Sequence, residues 1–484
     1  MADNLKSNVM ANLMWRFAER GGAQLVSFVV SIVLARILVP EDYGAVALIT
    51  VFTNILQVFV DSGLGTALVQ KKDADDLDFS SVFYFNFAVC LILYAGMFIA
   101  APYIADFYKN ATLTPVIRVI SLTLVISGVK NIQQAYVSRN LLFKRFFYAT
   151  LGGTIFSAFL GIAMAYNGLG VWALVAQQLS NATIDTIILW LTVKWRPKKA
   201  FSWARLRALL GFAWKMLASS LLDTVYNNLR SLIIGRAYSS ADLAYYNQGQ
   251  KFPLVIVTNI NTSIDSVLLP VMANEQDDRE RVKAMTRKAI QTSSFIMWPA
   301  MVGLAVCARP LVSLILTDKW LPCVPFLQIF CVTYAFYPVH TANLNAIKAL
   351  GRSDMFLKLE IAKKLVGLLS IFITMPFGVL AMAIGLLVTT PVSAFINAFP
   401  NRVLLHYSFK DQIKDLAPYI VLSGFMGLCI YPIQYLPISA AVILLFQIVA
   451  GTAVYMVGAK VLRFNVMTDL GKLLTNLKNK REVK

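Results

Sequence analysis

The 484-residue chain has only two histidines and five cysteines, and charged side chains make up 14% of it. A soluble globular domain carries about a quarter charged residues, so an ordinary water-soluble fold is excluded. Acidic residues are the scarcest charges, 25 against 44 Lys and Arg, for a net charge of +19. Cys90, Cys307, Cys323, Cys331 and Cys429 lie in or beside apolar runs without metal-ligand spacing, and the expectation is buried free thiols with no disulfide framework and no metal. There is no Gly-rich nucleotide loop and no Ser/His/Asp arrangement. No polar loop is longer than about twenty residues, which leaves no room for a separate catalytic domain. Neither catalysis nor a cofactor is expected.

What the chain has in abundance is hydrocarbon: 58% hydrophobic residues and a mean hydropathy of +0.65. A membrane span needs about 20 apolar residues, and about fourteen such segments recur: 12–38, 43–66, 82–108, 115–137, 148–167, 171–193, 209–235, 245–270, 290–316, 323–347, 357–376, 378–400, 416–431 and 437–459. Backbone polar groups must be satisfied internally in a bilayer, and no alternating short strands are present, so every span is expected to be helical. The expected fold is an all-α integral membrane protein.

Loop charges orient it. Lys71 and Lys72, Arg139 to Arg145, Lys194 to Arg207, Arg279 to Lys288, Lys348 to Lys358 and Arg402 to Lys414 fall on one side. The other side has only Arg36, Lys109, Arg236 and Lys319. The rich side is cytoplasmic, and both termini share it, since Lys6 opens the chain and Lys472 to Lys484 close it. The positive charge is thereby assigned to cytoplasmic helix ends near anionic lipid, and a nucleic-acid partner is not expected. Met1 to Asn12 is polar and the first span is too long for a signal peptide.

The chain also repeats itself. Around Trp15 to Gly44, Ser31 to Arg36 (SIVLAR) returns as Ser231 to Arg236 (SLIIGR), Asp42 as Asp242 and, just beyond, Phe52 as Phe252, in one ungapped register. Internal repeats of this kind build several transporter folds, with the substrate site between the halves. The expected organisation is a first bundle at 1–195, a basic amphipathic connector at 196–208, a second bundle at 209–405, and a final pair of spans with a basic tail at 406–484. The loop Asp73 to Asp78 is expected to be solvated, and the polar run before the ninth span to extend as helix into the cytoplasm.

Charges inside the spans are the candidate site, because a charged side chain at mid-bilayer costs roughly 2.5–3.5 kcal/mol or more. Arg16, Glu19 and Arg20 share one helix face. Lys215, Arg230 and Lys251 would supply the opposing cationic wall, and Asp223, Asn227 and Arg230 also share a face. A cavity lined by these five cations wants an anionic substrate, and Arg suits phosphate oxygens through its planar fork. Glu19, Asp61, Asp223 and Asp265 are candidates for charge balance or for coupling to H⁺ or Na⁺. Lys130 and Asp185 lie in the fourth and sixth spans, and His340 in the tenth, where a structural role is favoured.

Ala35 to Ile49 (ARILVPEDYGAVALI), Val60 to Gln70 (VDSGLGTALVQ), Leu141 to Phe147 (LLFKRFF) and Leu316 to Val332 (LTDKWLPCVPFLQIFCV) resemble the polysaccharide-transporter branch of the MOP exporter superfamily, the Wzx-type flippases. The likeness runs over essentially the whole chain, carried by the order and spacing of these stretches. It implies movement of an undecaprenyl-pyrophosphate-linked oligosaccharide (an O-antigen, capsule or exopolysaccharide unit) from the cytoplasmic to the periplasmic leaflet of the bacterial inner membrane. Alternating access around a cationic cavity would carry it, with polysaccharide polymerase and chain-length proteins as partners. Arg36 and Asp42 carry over as structural loop residues. A peptidoglycan lipid-precursor flippase and a multidrug exporter of the same superfamily are the competing readings.

Overall fold

The computed structural model describes residues 2–61, 63–464 and 466–467, and helices are the regular structure throughout, with no strand among the described residues. The chain divides into two compact units, 1–244 and 245–484.

The first unit comprises α1 (Ala2–Ile37), α2 (Pro40–Asp61), α3 (Leu64–Gln70), α4 (Asp76–Phe107), α5 (Leu113–Ile120), α6 (Leu122–Arg139), α7 (Phe143–Tyr166), α8 (Val171–Thr192) and α9 (Trp203–Ala237). α10 (Ser240–Asn274) starts in it and continues into the second. The sequence repeat is visible as geometry. α1 ends at Ile37 and α2 starts at Pro40, while α9 ends at Ala237 and α10 starts at Ser240. The two elbows fall at equivalent positions of the repeat. They also meet, because Gly44 lies against the Ser240 backbone and Gly235 against Leu48, while at the far end Gly63 meets Ala213 and Met216. α2 and α9 are therefore antiparallel neighbours along their length, held close by residues without side chains, as membrane helices commonly are. α7 and α8 follow the same rule: a Cβ at Gly152 would meet Ile188, at Gly153 Asn181 and Asp185, and at Gly161 Gln177.

The core of this unit at the end near the connector joins Leu64, Leu68, Phe79, Val82, Ile132, Phe146, Leu189, Trp195 and Leu206. Trp195 immediately precedes the connector (196–208), which is held against α4 by polar contacts as well. Ser80 Oγ accepts from Lys198 N and Ser81 Oγ from Ser202 N, each at 2.9 Å. Gln133 donates to the Trp195 carbonyl at 3.1 Å. Asp75 caps α4 in a capping box with Asp78, and Lys71 and Arg205 reach Asp78 at 2.7 and 3.6 Å. The expected solvation of this loop holds for Asp73, Asp75 and Asp76, which are exposed, and is corrected for Asp78, which is fully buried and held by cations contributed from sequence positions far from one another.

The second unit holds the rest of α10 with α11 (Arg279–Val306), α12 (Ala308–Leu316), α13 (Val324–Ala335), α14 (Tyr337–Ala349), α15 (Ser353–Thr374), α16 (Val379–Leu404), α17 (Phe409–Ile430) and α18 (Ala440–Val461). α11 starts at Arg279, giving the expected polar helical extension. Its core gathers Met272, Val282, Ile290, Ala346, Ala394 and Leu416. α17 is tied in by Asp415, which takes hydrogen bonds from Arg287 at 2.6 Å, Gln291 at 3.1 Å and Tyr407 at 2.7 Å. Many large apolar side chains face outward, among them Ile92, Phe159, Leu191, Phe372, Phe425 and Leu445. That suits lipid as the surrounding solvent. Among the described residues nine helices are long and apolar enough to cross a membrane, ten when the bent pair within α9 is taken as one span.

Candidate functional site

The polar interior of the first unit is built at a broken helix. α2 stops at Asp61, and Gly63 turns with φ +69°, a conformation open to glycine at little cost. α3 then resumes at Leu64. The Asp61 carboxylate accepts from Gln57 at 3.2 Å and Asn131 at 3.4 Å, and Asn131 also donates to the Val60 carbonyl at 2.7 Å. Next to Asn131 on α6, Lys130 pairs with Asp185 of α8 at 3.0 Å. Asp185 is 7% exposed, and its second oxygen, Oδ1, is buried without a hydrogen-bond partner. The sequence offered these two residues only as isolated charges in the fourth and sixth spans. Their opposite signs at comparable depth were the available signal for a pair.

Among the expected site residues, Lys215, Asp223 and Arg230 lie on α9, which packs against α2 within the first unit. Lys215 and Asp223 are exposed, and Arg230 is half-buried with its Nε lacking an acceptor. The antiparallel register that sets Gly44 at Ser240 and Gly63 at Ala213 places Asp223 at about the level of Gln57, one turn from Asp61. Asp61, Lys215, Asp223 and Arg230 thus belong to one helix pair. Arg16, Glu19 and Arg20 fall on α1, but their side chains lie outside the described residues.

Lys251 and Asp265 lie on α10 in the second unit. Lys251 is half-buried. Asp265 accepts from Asn345 of α14 at 2.7 Å, and one turn before it Asn261 is buried with an unpartnered Oδ1. Sequence reasoning did not find the amide network beyond them. Asn343, Asn401 and Gln412 are fully buried and hydrogen-bond one another at 2.6–2.9 Å across α14, α16 and α17. His340 meets Asn397 at 2.9 Å, a structural contact of the kind favoured for it. Lys363 pairs with Glu360 at 2.5 Å.

Outside the spans, the electrostatics are those of the connector clasp. The Asp78 backbone amide and the Arg205 guanidinium hold the Asp75 carboxyl at about 2. Lys198, bonded to Asp76, is raised above the ordinary lysine value. Carboxylates, ammonium and guanidinium groups are thus set within apolar helices, an arrangement that can hold and exchange ions or polar head groups at membrane depth.

Residues 33–325 match a family described as polysaccharide biosynthesis protein. The chain is 24% identical over 393 residues to the lipopolysaccharide biosynthesis protein WzxC of Escherichia coli (strain K12), covering 79% of each. It is 24% identical over 344 residues to the succinoglycan biosynthesis transport protein ExoT of Rhizobium meliloti (strain 1021), covering 71% of this chain and 70% of that one. The teichuronic acid biosynthesis protein TuaB of Bacillus subtilis (strain 168) is 21% identical over 416 residues, covering 84% and 85%. Among solved structures, the lipid II flippase MurJ in an inward closed conformation superposes with a TM-score of 0.77 at 15% identity, over 94% of this chain and 100% of that one. An inward-facing multidrug resistance MATE family transporter gives 0.63 at 16% identity, over 79% and 94%. These two establish the fold.

Proposed function

Because the chain belongs to the polysaccharide biosynthesis protein family, we propose that it moves an undecaprenyl-pyrophosphate-linked oligosaccharide, a unit of O-antigen, capsule or exopolysaccharide, from the cytoplasmic to the periplasmic leaflet. It is a multi-pass protein of the bacterial inner membrane and a flippase of the MOP superfamily. The observation that carries the substrate class is the run of relatives named for making or transporting different bacterial polysaccharides, matched over more than two thirds of their lengths.

In this reading the chain has fourteen spans with both termini cytoplasmic. Bundles at 1–195 and 209–405, joined by 196–208 and followed by a helix pair and tail at 406–484, alternate access to the two leaflets. Arg16, Arg20, Lys215, Arg230 and Lys251 bind the pyrophosphate, and Glu19, Asp61, Asp223 and Asp265 balance their charge or couple transport to H⁺ or Na⁺. Arg230 is the residue with most support, since its Nε is enclosed without an acceptor and a phosphate oxygen would supply one. The lipid tail stays in the bilayer, no cofactor takes part, and polymerase and chain-length proteins receive the product. The protein transports and does not catalyse.

The likeness to a lipid II flippase keeps a peptidoglycan precursor as the second reading. Complementation tests the first: a polysaccharide-deficient strain regains polymer with the wild type. Arg16→Ala, Lys215→Ala and Arg230→Ala, each at normal abundance, reduce it at least about tenfold, the loss of roughly one charge-assisted contact. Full polymer from all three would overturn the cation assignment. Rescue of a strain lacking its lipid II flippase, without polymer restored, would favour the second reading.

A further inference from the structure

In the second unit, α13 and α14 fall within one apolar span, Asp318–Ala349, which breaks near its middle at Phe336. Pro338 helps to cause the break, because it has no amide for the Tyr334 carbonyl four residues back. Beyond it α14 is an interior helix: it packs on α11, α13, α15 and α16, and Val339, Ala342, Asn343, Ala346 and Ile347 are buried. One stripe of it stays open. Tyr337, His340, Thr341, Leu344 and Lys348 follow at helical spacing and are half-buried or exposed, Tyr337 by 36%. The lipid-facing stripe of α15 has a different character, since Leu357, Ile361, Leu365, Leu369 and Phe372 are exposed and wholly apolar. Polar groups at membrane depth face the interior of a bundle or a water-filled cavity. The α14 stripe therefore lines an aqueous space, and it starts at a broken helix, where transporters form substrate sites.

The groups at the break form a ladder across four helices. Gln250 of α10 donates to the Tyr334 hydroxyl at 2.6 Å. The Tyr334 ring meets Tyr337 edge to face at 5.1 Å, and Tyr337 meets His340 likewise at 6.0 Å. Asn397 of α16 holds His340 at Nδ1, 2.9 Å away, which sets the imidazole and leaves Nε2. Neither Nε2 nor the Tyr337 hydroxyl has a hydrogen-bond partner among the described residues, and Asn397 Oδ1 is buried without a donor. An open aromatic ring beside neutral hydroxyl, imidazole and amide groups matches a sugar. The C–H face of a pyranose packs on the ring, and its hydroxyls both donate and accept. An acyl chain would leave these polar groups unpaired. We propose that Tyr337 and His340, positioned by Tyr334, Gln250 and Asn397, form a subsite for a neutral pyranose ring of the glycan. This deepens the flippase reading and rests on it: cations hold the pyrophosphate, and this shelf recognises the sugar. Lys251, one of those cations, follows Gln250 directly in α10, at comparable depth.

The test is equilibrium binding to the purified full-length protein in a detergent without sugar head groups. Two fluorescent polyprenyl pyrophosphates are compared, one bearing the repeat-unit oligosaccharide of the host and one bare. The wild type is expected to bind the glycosylated lipid at least about tenfold more tightly. Tyr337→Ala and His340→Ala, verified as monodisperse, reduce that preference to within about twofold and leave the affinity for the bare lipid unchanged. Tyr337→Phe keeps the ring, loses the hydroxyl and retains an intermediate preference. Tyr103→Ala, at an outward-facing ring of α4, keeps the full preference. A merely structural role would weaken both lipids alike. That equal loss, a preference unchanged in Tyr337→Ala and His340→Ala, or no preference in the wild type would overturn the subsite and leave the flippase reading standing. Binding of neither lipid would remove the flippase reading. The free repeat-unit oligosaccharide then decides the subsite by itself: binding weakened at least about tenfold in Tyr337→Ala upholds it, and binding that is absent or unaltered overturns it.

Discussion

Gly44→Ala puts the meeting of the two repeat elbows under direct load. The added Cβ would lie 1.8 Å from the Ser240 carbonyl oxygen and 2.4 Å from its carbon. These are backbone atoms at the start of α10, and no rotamer change moves them aside. An ordinary carbon contact needs about 3.5–4.0 Å, so α2 and the α10 start must separate by well over an ångström. Overpacking costs typically 1–3 kcal/mol, occasionally more, and an immovable neighbour puts this case at the upper end, about 3 kcal/mol. Each kcal/mol shifts Tm by roughly 2–4 °C for 150–250 residues, a range that covers the first unit. The predicted fall is about 6–12 °C. Exposure of buried Cys90 to a thiol-reactive dye during heating reports it, in a Cys429→Ser background that removes the exposed thiol. Gly96→Ala is the control, because a Cβ there meets nothing within 4 Å; it should be neutral, or stabilising by about 0.5–1 kcal/mol. Gly44→Ala melting within about 1 °C of the wild type, far less than overpacking of this kind costs, would refute the elbow packing.

Three further outcomes are expected. Lys130→Met leaves Asp185 buried and uncompensated and should cost about 3–5 kcal/mol, while Lys130→Met/Asp185→Leu recovers much of it; a double variant no more stable than the single one would show that the pair is not coupled. Asp415→Ala strips Arg287, Gln291 and Tyr407 of their shared acceptor and should cost about 3 kcal/mol, read as an early melting step. Because Asp75 is held at about 2 in the folded chain, below the unfolded value of about 3.9, its contribution is full above the unfolded value and is lost as pH falls through the folded one. The Tm gap between wild type and Asp75→Asn should therefore be constant from pH 7 to about 5 and close toward pH 2, and a gap that widens on acidification would contradict the clasp.

Much of the fold was legible because apolar length acts locally along the chain. The ungapped repeat even located both elbows, since Ile37 and Ala237 end their helices at equivalent positions. Breaks within spans were harder. The stretches expected as spans at 43–66 and 115–137 stand as the apolar spans Pro40–Gln70 and Leu113–Arg139, but the helix is interrupted within them near Gly63 and at Ser121, where hydropathy is continuous and only backbone geometry changes. Least legible were the partners of buried polar groups. Lys130 and Asp185 are 55 residues apart, Arg205 and Asp75 130 apart, and nothing in helix-face periodicity joins them. The same limit applies to the cations: periodicity put Asp223, Asn227 and Arg230 on one face, but the packing of α9 on α2 came only with tertiary structure.

The most direct test is leaflet transfer in liposomes, using the purified protein and a polyprenyl-pyrophosphate oligosaccharide labelled on its sugar. The account predicts protein-dependent movement of the labelled lipid between leaflets, absent for a bare polyprenyl phosphate and reduced in Arg230→Ala. No movement of the oligosaccharide lipid, together with binding of organic cations, would contradict it and place the protein with the multidrug exporters that share its fold.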